Sequence, residues 1–291
     1  MAPPARVVDL KERLSAYARF IKIEHTLFSL PILLSGTLLA RGSLPSWRLT
    51  GLILLATLGA RTLALALNRL IDVQIDARNP RTADRELATG ALSLWDAFLV
   101  ALAGLMVYIW AATKINSFCL IWSWVPALLF LIYPTLKRFT WLCHFGLGIT
   151  WAMAPLAGWF AVNPGFAGSG PAWILAVFSF FWLAGFDIIY ATLDEQFDRR
   201  EGLFSVPARF GKQTALRLSA LTHLLAFAFL GVLFFFCLRG SSAAFLCLTA
   251  GFLLFLEHML VDHVDLAFFK INVLTGFVVL AMVFVGVRPD F

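Results

Sequence analysis

Two stretches of the chain repeat one pattern of acids. In Asn68-Arg69-Leu70-Ile71-Asp72-Val73-Gln74-Ile75-Asp76, a polar side chain recurs at every fourth position. On a helix that spacing stacks Asn68, Asp72 and Asp76 on one face. Like charges at i and i+4 repel each other, so such a pair calls for a cation. Carboxylates and an amide carbonyl so spaced suit Mg²⁺, which takes one or two carboxylates, several waters and phosphate oxygens. The second constellation runs from Asp187 to Asp198. Asp187, Tyr190, Asp194 and Asp198 stand at i, i+3, i+7 and i+11, again one helix face. Asp187 falls about two turns inside an apolar run, where an ionisable side chain is costly and marks function. One aspartate of this kind is as readily a solvated helix end; two matching Asp-x-x-x-Asp pairs are a strong signal.

Basic residues follow each pair. Arg78, Arg81 and Arg85 trail the first, and Arg199, Arg200, Arg209 and Lys212 trail the second. Lys137 and Arg138 end another apolar run. Guanidinium groups make bidentate contacts to phosphate and ammonium groups act as point charges, so a phosphate bound beside a metal is the chemistry these residues favour. Arg81 and Arg85 are the strongest candidates, being spaced i, i+4 and tied to the first motif.

Apolar helices must position these side chains. Hydrophobic residues make up 60% of the 291, charged residues only 14%, and mean hydropathy is +0.85. Soluble domains carry about a quarter charged residues. We expect an all-α integral membrane protein with nine spans around a central cavity. The spans fall near Thr26–Ala40, Leu49–Ile71, Leu94–Ala112, Phe118–Tyr133, Phe145–Val162, Ala172–Leu193, Leu216–Leu238, Ala243–Val261 and Ala267–Val287. Residues 1–24 form a basic N-terminal segment, with Leu10–Phe20 patterned as an amphipathic interfacial helix. The chain reads as one membrane domain over 1–291. Leu27–Ala40 has the look of a signal-peptide core, but with so many later spans an uncleaved first helix is the better reading.

With the N-terminus cytoplasmic, seventeen Lys and Arg fall on the cytoplasmic side and five on the other, Arg61 being inside a span. That asymmetry sets the orientation. Both long charged connections, Asn68 to Ser93 and Asp187 to Arg217, then face the cytoplasm, so one site can draw on both. The net charge of +6 is this topology signal, and no aromatic-interleaved basic patch of a nucleic-acid reader is present. Cys119, Cys143, Cys237 and Cys247 lack metal or disulfide spacing and read as inert thiols. His258, Asp262, His263 and Asp265 lack metal-ligand spacing and read as a polar cytoplasmic loop.

The two motifs, four spans apart, share their carboxylate spacing and a following Arg, which supports a two-half bundle. An ion-coupled transporter also uses intramembrane acids, but it places them near the midplane on broken helices. A membrane phosphotransferase of the CDP-alcohol type needs an Asp-Gly-x-x-Ala-Arg signature, and neither motif has that glycine.

Taken together, these segments resemble the UbiA superfamily of intramembrane aromatic prenyltransferases. Asn68 to Asp76 is similar to its N-x-x-x-D-x-x-x-D motif, and Arg81-Thr82-Ala83-Asp84-Arg85-Glu86-Leu87-Ala88-Thr89-Gly90 to the extension R-T-x-x-R-x-L-x-x-G. Asp187-x-x-Tyr190-x-x-x-Asp194-x-x-x-Asp198 resembles the second motif, trailed by Gly202, Ser205, Pro207 and Arg209-Phe210-Gly211. Tyr133-Pro134-Thr135-Leu136-Lys137-Arg138 resembles the segment after the fourth helix. The resemblance is nearest to the 4-hydroxybenzoate polyprenyltransferase branch, with 1,4-dihydroxy-6-naphthoate as the alternative acceptor and farnesyl transfer to haem a more distant one. Position 69 is Arg where many relatives carry Asp.

The resemblance implies a multi-pass enzyme of the bacterial inner membrane, its site facing the cytoplasm, serving ubiquinone or menaquinone synthesis. It implies Mg²⁺ held by Asp72, Asp76, Asp194 and Asp198 with help from Asn68, and a polyprenyl diphosphate held by Arg78, Arg81, Arg85, Lys137, Arg138, Arg199, Arg209 and Lys212. Asp187 and Tyr190 are expected to act on the phenol of an aromatic hydroxy-acid acceptor. Lys22, His25 and Arg61 are candidates for the acceptor's carboxylate. Some of the 29 Phe and 10 Trp are expected to shield an allylic cation from water.

Overall fold

The computed structural model describes residues 10–21, 26–261 and 266–287. It is helical throughout, with no strand among the described residues. In chain order the α-helices are α1 (Leu10–Ile21), α2 (Thr26–Arg41), α3 (Trp47–Arg78), α4 (Leu94–Ile115), α5 (Ser117–Trp122), α6 (Trp124–Ile132), α7 (Cys143–Phe160), α8 (Gly170–Ala191), α9 (Glu195–Glu201), α10 (Val206–Phe210), α11 (Lys212–Cys237), α12 (Ser241–Met259) and α13 (Asn272–Gly286). Each of the nine expected apolar runs falls on helix. Among the described residues, seven spans are long and apolar enough to cross a membrane by length and composition, α5 and α6 counting as parts of one. The apolar helix at residues 29–41 is shorter, and α7 is not among the seven.

Packing runs α4 on α3, α2 on α7, α7 on α8, α8 on α11, α11 on α12, α12 on α13, and α13 back on α2. Between helices in lipid there is little hydrophobic drive, so close contact of small residues does much of the work. A side chain at Gly158 of α7 would put its Cβ 1.9 Å from the Leu33 carbonyl oxygen of α2. Beside it, Thr37 donates to the Gly158 carbonyl at 3.2 Å.

The elements that carry the motifs end where their sequence makes them end. Ser46 caps α3 by accepting from the Leu49 N–H, and α3 runs on to Arg78. There Asn79 precedes Pro80, a position that disfavours helix, and its backbone is extended at φ −84°, ψ 118°. A capping box between Ser93 and Asp96 starts α4. The second motif was expected on one helix face, but the helix does not continue through it. It tightens into a 3₁₀ turn at Thr192–Asp194 and resumes as α9, which ends at Gly202 with a left-handed φ of 68°. The fourth run likewise breaks, after Trp122, and closes in a 3₁₀ turn at Tyr133–Arg138 with Pro134 near its start.

The interfacial helix α1 is more than a surface feature. Ala16 and Phe20 are buried against Leu63, Ala66, Leu92, Ala97 and Ala101 of the α3–α4 side, and Tyr17 donates to Asp96 at 2.6 Å. His258, expected in a loop, instead sits on α12 with Nε2 2.9 Å from Nδ1 of the buried His223. Apolar surroundings force polar groups to pair, and these two rings pair with each other. Asp262, His263 and Asp265 lie outside the described residues.

A second buried polar bridge ties α8, α12 and α13 together. The Trp182 indole donates to Asn272 Oδ1 at 2.7 Å, and Asn272 Nδ2 donates to Glu257 Oε1 at 2.9 Å. Asn272→Leu is expected to lower stability by about 1–3 kcal/mol for each buried partner it strands. Thermal unfolding in detergent reads the loss.

Candidate active site

Both motifs arrive at one end of the bundle, around a cavity of about 280 Å³. Asn68, Asp72, Asp76, Asp187, Tyr190, Asp194 and Asp198 all line it, as do Arg81, Arg85 and Lys137. The break between α8 and α9 therefore does not scatter the second motif; the tighter 3₁₀ turn still carries Asp194 and Asp198 to the same wall.

Each motif acid has a partner. Asp72, 2% exposed, is held by Lys137 Nζ at 2.6 Å and Arg138 Nη2 at 3.0 Å. The 3₁₀ turn makes that contact possible by folding the end of the fourth run back over α3, where Arg138 also donates to the Ile71 carbonyl at 2.8 Å. Arg85 Nη1 donates to both Asp76 oxygens, at 2.8 and 2.7 Å. Arg81 grips Asp194 through two nitrogens, Nε at 2.9 Å and Nη2, and gives Nη1 to the Tyr190 hydroxyl at 2.6 Å. Asn79 Nδ2 adds a bond to Asp194 at 2.9 Å. Asp198 accepts from the Ser205 hydroxyl at 2.8 Å. Burial works against the charge on Arg81, but the bond to Asp194 and the charge of that carboxylate outweigh it and hold the guanidinium above its ordinary value.

Several of these contacts join segments far apart in the sequence. Arg81 follows the first motif yet binds the second, and Lys137 follows the fourth run yet binds the first. Buried charges without partners are strongly unfavourable, so the cross-pairing also locks the two motif helices together. The donors Asn68, Asp72, Asp76, Asp194 and Asp198 are all oxygen, which fits Mg²⁺. Among the described residues no three His, Cys, Asp or Glu are grouped closely enough to hold a metal by themselves. A cation that keeps waters and takes phosphate oxygens needs no such group.

Four basic candidates are not brought to the cavity. Arg78 turns to Glu201 at 3.0 Å. Arg199 bonds Glu195 and the Ala208 carbonyl at 3.0 and 2.9 Å. Arg209 lies over the Phe210 ring, and Lys212 is exposed at the start of α11. Arg138 reaches Asp72 without lining the cavity. Lys22 and His25 lie outside the described residues.

Arg61 lies deeper, with Cζ 5.8 Å from the centroid of the Trp151 ring. Together they line a second chamber of about 160 Å³ that shares Tyr133 and Leu147 with the first cavity. Beyond it lies an apolar chamber of about 390 Å³, sharing Leu33, Ala56, Tyr108, Pro126, Met153 and Ala157 with the second. Seven residues separate Arg61 from Asn68, or about 10 Å along the axis of α3.

Sequence reasoning missed Asn79 and His144, and it named Ser205 only in the order that trails the second motif, without its bond to Asp198. Asn79 had a signal, standing seven residues after Asp72 on the same face and before a proline. His144 had none: it is one polar residue at the edge of an apolar run, 43 positions from the Asp187 it touches.

Arg81→Lys removes the planar fork that joins Asp194 to Tyr190. The prenyl diphosphate that the resemblance implies should then bind about tenfold or more weakly, since a point charge does not replace bidentate geometry. Equilibrium binding of a labelled prenyl diphosphate measures it, and an unchanged Kd would contradict the role given to Arg81.

Known proteins share both the sequence pattern and this fold. Residues 29–268 match the model of the UbiA prenyltransferase family. A 4-hydroxybenzoate octaprenyltransferase of Nitrosomonas eutropha is 32% identical over 235 residues, covering 78% of this chain and 80% of that one. The apo structure of a UbiA homolog from Aeropyrum pernix superposes with a TM-score of 0.83 at 31% identity, over 89% of this chain and 97% of that one. A UbiA homolog from Archaeoglobus fulgidus, solved bound to DMAPP and Mg²⁺, shares the fold with a TM-score of 0.68 at 18% identity, over 91% and 99% of the two chains. The chain belongs to the UbiA prenyltransferase family.

Proposed function

We propose that this protein transfers a polyprenyl group from polyprenyl diphosphate to the ring of 4-hydroxybenzoate, in quinone synthesis. What carries the reading is the order of the three chambers: a cavity of paired acids and bases, then Arg61, then apolar wall. Diphosphate, carboxylated ring and prenyl tail each meet a matching environment. The octaprenyltransferase name of the Nitrosomonas relative supports the same acceptor.

Asn68, Asp72, Asp76, Asp194 and Asp198 would hold Mg²⁺, and the Archaeoglobus homolog's bound DMAPP and Mg²⁺ support this. Bound there, the metal supplies positive charge against the diphosphate oxygens and so makes diphosphate a better leaving group. Lys137, Arg81 and Arg85, which hold the acids from the cavity wall, are within the same cavity as the diphosphate and contribute to its neutralisation.

The acceptor sits in the middle chamber with its carboxylate toward Arg61 and its phenol toward Asp187 and Tyr190. As the bond from prenyl carbon to diphosphate oxygen breaks, the ring carbon ortho to the phenol forms the new carbon–carbon bond. Asp187 takes the phenol proton during the attack. The ring carbon then gives its own proton to the departed diphosphate, and Asp187 returns its proton to the oxygen. Apolar walls keep water from the allylic cation.

The chain works as one membrane domain with nine spans, α2 and α7 completing the seven. The N-terminus is cytoplasmic and the polar cavity faces the cytoplasm, in a bacterial inner membrane. The excess of basic residues at the motif end supports this orientation.

Purified protein supplied with labelled polyprenyl diphosphate and Mg²⁺ should label 4-hydroxybenzoate, and EDTA should abolish transfer. A dihydroxynaphthoate arm tests the other acceptor; preference for it would replace 4-hydroxybenzoate in this reading. Arg61→Leu is expected to raise the acceptor KM by about tenfold or more, the scale of a lost charge-assisted bond, while leaving prenyl diphosphate KM alone. Product formation undiminished by EDTA, or ion flux in vesicles with no labelled product, would overturn it.

A further inference from the structure

His144 belongs to neither aspartate motif, yet it is what holds Asp187. It sits in the first turn of α7, 3% exposed, and lines the polar cavity. Its Nδ1 lies 2.6 Å from Asp187 Oδ2. Its other nitrogen, Nε2, receives the backbone N–H of Val206 at 3.2 Å.

That second contact decides the tautomer. A backbone N–H only donates, so the Nε2 lone pair is occupied and the ring proton resides on Nδ1. The imidazole therefore donates to Asp187 and cannot accept from it. Oδ2 is pinned, and the carboxylate is left to present its other oxygen to the cavity.

Pinning has a purpose in this cavity. Arg81, Arg85 and Lys137 line it too. An untethered carboxylate would be drawn to one of these cations, as Asp72, Asp76 and Asp194 are. The residue before Val206 is Ser205, which binds Asp198. Two adjacent residues thus anchor one acid directly and another through His144.

We propose that His144 is the positioning residue of Asp187: a neutral imidazole, fixed by the Val206 N–H, that keeps this carboxylate aimed at the acceptor and away from the diphosphate cations. The proposal rests on the reading of the site as an aromatic prenyltransferase. His144 exchanges no proton with the substrate.

The test uses the full-length enzyme in detergent with labelled prenyl diphosphate and 4-hydroxybenzoate. His144→Leu should cut kcat by about 100-fold, the low end for a misplaced base, with prenyl diphosphate KM nearly unchanged. His144→Asn, whose Nδ2 stands near the former Nδ1, should recover at least about a tenth of wild-type kcat; His144→Gln, whose amide reaches the Nε2 position, should not. In an Asp187→Asn background, His144→Leu should cost nothing further, because it acts through the absent carboxylate. Equal activity of the asparagine and glutamine variants, or the same added loss in both backgrounds, overturns the proposal. If the leucine variant no longer binds prenyl diphosphate, the asparagine–glutamine comparison decides alone. A wild-type enzyme that prenylates no phenolic acceptor defeats the functional reading itself, a result distinct from wild-type transfer with insensitive His144 variants.

Discussion

Putting several carboxylates into one cavity of a lipid-embedded bundle is the constraint that shapes this protein. Repulsion among them opposes the fold, and lipid on most sides denies them water. The chain answers with cations delivered from somewhere else in the sequence. Arg81 leaves the first motif to hold the second; Lys137 and Arg138 leave the fourth run to hold the first. Each acid is thus satisfied within the protein, and in the proposed function the same side chains also supply the positive charge that a diphosphate needs. Stability and substrate recognition draw on one set of contacts.

That economy explains the shape of the surrounding backbone. The Asn79-Pro80 step ends α3 so that Arg81 and Arg85 come from a loop rather than from the motif's own helix. The 3₁₀ turn at Tyr133–Arg138 folds two cations back over Asp72. The turn at Thr192–Asp194 and the left-handed Gly202 bring Ser205 against Asp198. Irregular backbone in a membrane protein is tolerated where it lines a polar cavity, and all of these breaks do so. The long regular helices supply the apolar chambers and also the first-motif acids on α3, Asp187 and Tyr190 on α8, and His144 on α7.

Much of this was legible from residue types. Four-residue periodicity put Asn68, Asp72 and Asp76 on one face, and hydropathy found every apolar run that became helix. The basic residues were harder. Their abundance on one side serves topology as well as binding, so although spacing favoured Arg81 and Arg85, nothing in the sequence excluded Arg199, Arg209 and Lys212 before the chain was folded. What divides them is geometry set by loop turns, which composition does not encode. His144 was illegible for a different reason: its meaning comes from Asp187 and from a backbone N–H, and neither leaves a mark at position 144.

Position 69 is Arg where the family resemblance leads one to expect Asp, and the fold shows what this residue holds. Arg69 is 4% exposed and reaches Glu86 at 3.2 Å, while Arg19 of α1 approaches the same carboxylate at 3.6 Å. Glu86 lies one residue after Arg85, on the loop that also carries Arg81. Helix α1 is thereby joined to the loop that carries Arg81 and Arg85. Residues 19, 69 and 86 are a coupled set: a chimera that takes its first helix from a relative with an acid in place of Arg69 would import half of a joint.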